Sequence, residues 1–328
     1  ILYYTTVGGF KAVAYSDVLQ GVLMFSGLLM LPIVGVSAAG GFSQLIEQLH
    51  SVDSNLLEPM GELGFSVAGV LSAVSFMGIG LAFLGAPQLL TRFISASGRT
   101  QIVNGSLLAV ICIIVFDVGA VFAGMAGRSL FPGLDDPETI LPTMASELLP
   151  PVITGLFLVV VLAAIMSTVD SLLILVSSAV VRDVVQKTLR SNLSDSRLSL
   201  YGKLTTVVIG AGALVLALGE VRVVFWFVLF AWSGLACAFT PIVLCSLFWK
   251  RTTRAGAIVG MVSGFLTTVI WVLVFKAGFY DLYEMLPGFL VGFVTTIGVS
   301  LLTEPPAAAA EELEAMRAAV GHPFKGFP

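Results

Sequence analysis

Leu162-Ala-Ala-Ile-Met-Ser-Thr-Val-Asp-Ser-Leu-Leu-Ile174 lies in the middle of a long apolar run, yet carries Ser167, Thr168, Asp170 and Ser171 within five positions. The run extends from Pro150 to about Val181. At about 1.5 Å per residue that is more than enough to cross a hydrocarbon layer of roughly 30 Å, so it reads as a tilted transmembrane helix. On a helical turn Ala164, Ser167, Thr168 and Ser171 fall at i, i+3, i+4 and i+7, so three hydroxyls share one stripe and Asp170 sits beside it. A carboxylate near a bilayer centre costs on the order of 2.5–3.5 kcal/mol on insertion scales and normally faces a bundle interior in the company of a cation or a donor. No Lys or Arg lies in the same span, which makes a bound cation an economical partner. Hydroxyl, carbonyl and carboxylate oxygens are hard ligands, suited to an alkali or alkaline-earth ion and not to zinc or copper. The competing reading is that the Ser and Thr hydroxyls bond back to carbonyls of their own helix and help helices pack.

Working outward, the composition is 57% hydrophobic and 11% charged, with a mean hydropathy of +1.02. This is the range of a polytopic membrane protein, and it sets soluble enzyme folds and nucleic-acid partners aside. The net charge of −4 says little, because the charges are segregated by loop. Cys112, Cys237 and Cys245 all fall in apolar spans without paired spacing, as packing residues do, and indicate neither a disulfide nor zinc. The chain opens on Ile1 inside what reads as the end of a span, with no signal-peptide pattern, so it reads as part of a longer protein.

After the stub Ile1–Thr6 comes a turn at Gly8-Gly-Phe-Lys11. Spans are then expected at Tyr15–Ala38, Phe65–Leu90, Val103–Ala126, Pro150–Val181, Leu204–Leu218, Val224–Trp249, Ala255–Phe275 and Met285–Leu302. If Lys11 is cytoplasmic, thirteen of the sixteen Lys and Arg residues fall on its side, leaving only Arg128, Arg222 and Lys276 opposite. That asymmetry satisfies the positive-inside rule with no loop out of order. It predicts a transmembrane domain over residues 1–302 and a cytoplasmic tail over 303–328, the latter Ala/Glu-rich and helical in composition. The outer loops carry acids, from Glu47 to Glu62 and from Asp135 to Glu147, whose sign mildly favours cations at the mouth, although solvated acidic loops are the commoner explanation.

Gly78-Ile-Gly-Leu-Ala-Phe-Leu-Gly-Ala-Pro87 interrupts the second span. Three glycines weaken regular helix and Pro87 removes a backbone donor. Unwound backbone at membrane depth survives where it lines a cavity, as in the discontinuous helices of secondary transporters, so a broken helix at a binding site is expected. Asp117 is a second intramembrane acid, open to either an ion path or a hydroxyl partner. Trp226, Trp249, Tyr280 and Tyr283 fall at span ends, as interfacial aromatics do, while Trp232 and Trp271 sit deeper, as packing residues. His50 and His322 are isolated.

The chain resembles the sodium:solute symporter family, and within it the sodium/proline symporters most closely, with pantothenate symporters as near relatives. The anchors are Val7-Gly-Gly-Phe-Lys-Ala-Val-Ala-Tyr-Ser-Asp17-Val-Leu-Gln20, Leu84-Gly-Ala-Pro87 with Arg92-Phe93, Leu162-Ala-Ala-Ile-Met-Ser-Thr168, Phe230-Ala-Trp-Ser-Gly234 and Tyr283-Glu-Met-Leu-Pro-Gly288. The resemblance implies an all-α polytopic membrane protein carrying part of a five-plus-five inverted-repeat (LeuT-type) transporter core with two extra C-terminal helices. Tyr15–Ala38 would be the fifth core helix, Phe65–Leu90 the broken sixth, Pro150–Val181 the eighth and Val224–Trp249 the tenth. It also implies Na+ as the coupling ion, a small organic solute and a lipid bilayer as partners, and the plasma membrane as location. Ala164, through its carbonyl, and Ser167 and Thr168, through their hydroxyls, would form the main sodium site, completed by a first helix that this chain lacks. Asp17, Asp170 and Ser171 are assigned to a second sodium or to its exit path. Ile79, Phe83 and Pro87 occupy the solute positions of the broken helix. Where relatives commonly have Trp and Tyr, this chain has Ile79 and Phe83, which changes the shape and hydrogen bonding of the pocket. Proline is therefore the first expectation and a pantothenate-like or other small carboxylate the second. A symporter-derived membrane sensor is the reading from another class, and the short tail speaks against it. No catalytic group is expected.

Overall fold

The computed structural model describes residues 1–189, 193–219, 224–279 and 282–320. Arg190, Arg222, Tyr280, His322 and Lys325 lie outside the described residues. In chain order the helices are α1 (Leu2–Ala38), α2 (Phe42–Val52), α3 (Val67–Met77), α4 (Ala82–Gly85), α5 (Pro87–Ile94), α6 (Arg99–Leu130) and α7 (Ile140–Leu148). They continue with α8 (Pro151–Ser178), α9 (Asp195–Ala217), α10 (Val224–Phe248), α11 (Arg254–Ile270), α12 (Met285–Leu302) and α13 (Ala309–Val320). Among the described residues, eight helical stretches are long and apolar enough to cross a membrane, one for each expected span. Several run past the expected ends: α9 begins at Asp195, and α8 continues as a π-helical segment to Thr188. Helices outlast their apolar stretch because backbone bonding continues once the side chains become polar.

The chain forms two compact units. The first comprises Ile1–Glu58 and Ser95–Glu220, built on α1, α6, α8 and α9. Helix α1 bends at Gly9, where φ is 57° and ψ −154°. That left-handed backbone is cheap only for glycine, and the bend separates the stub from the main span, as the sequence predicted. Beyond the bend α1 packs on α8 at Gly27, where an added Cβ would stand 2.6 Å from Val160 Cγ1; small residues at such crossings let membrane helices approach closely. One core cluster gathers Leu31, Leu45, Leu49, Met144 and Phe157.

The second unit comprises Pro59–Ile94 and Val221–Pro328. Its first span is broken, as expected. Helix α3 ends at Met77, residues Gly78–Leu81 form a 3-10 turn, α4 lasts four residues, and Ala86 adopts extended backbone (φ −62°, ψ 115°) before α5 starts at Pro87. Carbonyls freed by such a break need donors inside a membrane, and Thr240 Oγ1 of α10 supplies one, to Leu81 O at 2.9 Å. The core here gathers Ala82, Leu229, Cys237, Tyr283 and Met285, with Ile79 and Trp232 packed against it.

Candidate functional site

The residues expected to bind ions, Asp17, Ala164, Ser167, Thr168, Asp170 and Ser171, all lie in the first unit. Helix α8 buries Val160, Ala163, Asp170, Leu173 and Ser177. Asp170 is therefore on the buried face and has no solvent exposure at all. Its Oδ2 accepts a hydrogen bond of 2.6 Å from the Tyr4 hydroxyl, in the short range of charge-assisted O–H···O⁻ bonds. Sequence reading missed this partner. Tyr4 belongs to the stub, 166 positions from Asp170, and no spacing rule connects them. The side chain of Gln20 also reaches the Tyr4 hydroxyl. Asp17, one turn earlier on α1, is half-buried.

The hydroxyl stripe bonds to its own helix. Ser167 Oγ donates to Ala164 O at 3.0 Å, Thr168 Oγ1 to the same carbonyl at 3.4 Å, and Ser171 Oγ to Ser167 O at 2.9 Å. Ala164, Ser167 and Ser171 are half-buried, and Thr168 is exposed. The competing sequence reading of these hydroxyls thus describes what their protons do. It leaves their oxygens available, because a hydroxyl that has donated its one proton keeps lone pairs for a cation.

One turn beyond Asp170 the same helix lines a cavity of about 440 Å3, through Ile174, Ser177 and Ser178, with Thr5 and Thr6 facing them from the stub. Arg182, Lys203 and Asp195 also line it.

The residues expected to contact the solute, Ile79, Phe83 and Pro87, lie in the second unit. Phe83 is exposed and meets the Trp232 ring edge-on at 5.4 Å between centroids. Ile79 is half-buried against the core, and Pro87 opens α5. Tyr283, expected as an interfacial aromatic, is instead buried. Its ring stacks on Phe76 at 5.4 Å, its hydroxyl donates to Leu229 O at 3.0 Å and its N–H to Ser75 Oγ at 3.2 Å. An anchor needs a wet end, and this side chain has spent its polar atom on the interior. Burial, then the charge of Glu284, push its hydroxyl well above its ordinary pKa. Glu284 is also buried and pairs with Lys276 at 2.8 Å, whose ammonium stands 5.3 Å from the Trp226 ring centroid. Asp117 is exposed on α6, and all three cysteines are free.

The sequence profile of the sodium:solute symporter family matches residues 1–264. The chain belongs to that family. It is 36% identical over 94% of its length to the high-affinity proline transporter PutP of Bacillus subtilis, and 33% identical over 95% to the sodium/proline symporter of Escherichia coli. It spans 65% and 62% of the lengths of those two relatives. A solved structure of a Na+-coupled sialic acid symporter superimposes with a TM-score of 0.70, covering 93% of this chain and 65% of that one at 21% identity. That likeness shows the fold. The chain is a multi-pass membrane protein with part of a LeuT-type five-plus-five core and two further C-terminal helices. Members of the symporter family are transporters, so the polar residues inside these spans are read for binding and not for catalysis.

Proposed function

We propose that the protein couples inward movement of sodium to uptake of a small organic solute by alternating access, with proline as the solute. The observation that carries this reading is the family match across the chain, together with the one helix, α8, that sets Ala164, Ser167, Thr168, Asp170 and Ser171 within two turns. Ala164 O with the Ser167 and Thr168 hydroxyls serves the main sodium. Asp17, Asp170 and Ser171 serve a second ion or its exit, for which the cavity beyond Ser177 offers space. Ion binding stabilises one arrangement of the helices over another, which is how a ligand drives an alternating-access equilibrium. Each inward positive charge supplies about 2.3 kcal/mol per 100 mV, enough to concentrate a solute more than tenfold.

Ile79, Phe83 and Pro87 contact the solute in this reading. The apolar side chains Ile79 and Phe83 also favour a second solute class, a pantothenate-like or other small carboxylate with more apolar surface than proline. Residues 1–302 act as the transmembrane symporter domain in the plasma membrane, with residues 303–328 on the cytoplasmic side, a placement supported by the bias of Lys and Arg.

The test is uptake of labelled proline and pantothenate into vesicles bearing the full-length protein, with and without sodium, beside Ser167→Ala and Asp17→Asn. Sodium-dependent uptake that collapses in Ser167→Ala and weakens in Asp17→Asn is expected. Uptake indifferent to sodium or to Ser167→Ala would sink the coupling.

A further inference from the structure

The Val7–Gln20 block ends on a residue that the proposed ion sites leave unused. Gln20 is nine-tenths buried, at 6% exposure, and its side chain meets the Tyr4 hydroxyl. Its Oε1 is buried without a hydrogen-bond partner. An amide left half-satisfied inside a membrane protein is costly, so its NH2 contact with Tyr4 has to be worth keeping. A phenol has one proton and an oxygen that also accepts. The side chains of Gln20 and Ser16 both meet that oxygen, and the Tyr4 proton goes to Asp170 Oδ2, at 2.6 Å. The three side chains thus form a relay from Gln20 to Tyr4 to Asp170, running between the two limbs of α1 and across to α8.

A neutral donor suits a carboxylate that must also bind a cation. An ammonium or guanidinium in Tyr4's place would cancel the charge. The phenol holds one carboxylate oxygen in a fixed direction through its 2.6 Å hydrogen bond and brings no positive charge of its own into the site.

We propose that Tyr4 and Gln20 are positioning residues for cation binding: Gln20 orients the Tyr4 hydroxyl, and Tyr4 holds the Asp170 carboxylate aimed as a sodium ligand. This rests on the reading of Asp170 as part of an ion site. Neither residue touches the ion. Both act through Asp170, so their removal weakens sodium binding without altering the solute pocket.

The test uses the full-length protein, with radiosodium binding to purified protein and sodium activation of proline uptake in proteoliposomes as readouts. The variants are Asp170→Asn, Tyr4→Phe, Gln20→Leu and the double variant Tyr4→Phe/Asp170→Asn. Tyr4→Phe removes one oxygen and keeps the ring. It is expected to raise the sodium concentration for half-saturation about tenfold, the scale of one hydrogen bond to a charged group. Solute KM at saturating sodium should stay put, which a general loosening of the fold would not allow. Gln20→Leu should shift sodium in the same direction by a smaller factor, and carries the test if Tyr4→Phe does not fold. The double variant should bind sodium no more weakly than Asp170→Asn alone, since non-additivity marks residues acting through one group. Normal sodium binding in both Tyr4→Phe and Gln20→Leu, with Asp170→Asn impaired, overturns the relay and leaves the ion site standing. Strict additivity in the double variant overturns it as well. Normal sodium binding in Asp170→Asn removes the ion-site reading and the relay with it.

Discussion

Among the described residues, each unit of the protein buries one carboxylate almost completely, and the two are answered differently. Asp170 in the first unit receives a phenol hydrogen bond from Tyr4. Glu284 in the second receives the full charge of Lys276 at 2.8 Å, itself resting near the Trp226 ring. A buried carboxylate paired with an ammonium is electrically finished, and its role is to hold elements together. A buried carboxylate that accepts from a phenol receives no formal charge from that partner, and acids inside membrane spans commonly mark ion pathways. The difference distinguishes the proposed ion-binding region from a structural clasp among residues that look alike in the sequence.

The comparison breaks most visibly at the clasp. Lys276→Met would leave Glu284 buried and unpaired, and removal of one partner of a buried pair typically costs about 3–5 kcal/mol. A large drop in thermal stability of the detergent-solubilised protein is expected, recovered in part by Lys276→Met/Glu284→Leu. Sodium half-saturation of any remaining uptake should not move. If Lys276→Met leaves the melting temperature unchanged, the pair is not a clasp.

Asp170→Asn should behave in the opposite way. It replaces a buried carboxylate with an amide of the same shape, so stability should hold or rise, while sodium half-saturation rises at least about tenfold, a loss of roughly 1.4 kcal/mol or more. A destabilised variant with unchanged sodium dependence would make Asp170 a second clasp and erase the contrast.

Tyr283→Phe sharpens the picture around Glu284. It deletes the hydroxyl that donates to Leu229 O at 3.0 Å and should cost about 1 kcal/mol of stability, the net worth of one neutral hydrogen bond. The stack on Phe76 remains, so a much larger loss would mean that the hydroxyl holds more than α10. Smallest of all, Trp226→Leu removes the ring near Lys276 and should cost about 0.5–1 kcal/mol. Thermal unfolding that separates this variant from Lys276→Met would show that the carboxylate, and not the ring, holds the ammonium.

Much of this was legible before any coordinates. The spans follow from apolar length, the bend at Gly9 from a Gly-Gly pair, and the break before Pro87 from three glycines and a missing donor. These are local rules, acting over one or two turns. The hydroxyl stripe on α8 was legible as a stripe, because helical spacing is local too. Tyr283 was misread for the opposite reason: an aromatic at a span end looks the same whether its hydroxyl meets water or, as here, Leu229 O.

By itself the sequence determined that the chain lives in a membrane, which stretches are long and apolar enough to cross it, where one helix must break and which helix carries oxygen atoms in a row. Hydrophobic length, backbone propensity and side-chain chemistry are properties of the chain read along its own axis. Only the tertiary structure decided which buried acid meets an ammonium and which a phenol, because Tyr4 and Asp170 are far apart in sequence and become neighbours only when α1 folds at Gly9 and packs on α8. Coulomb energy depends on distance in space, and no periodicity along a chain encodes that.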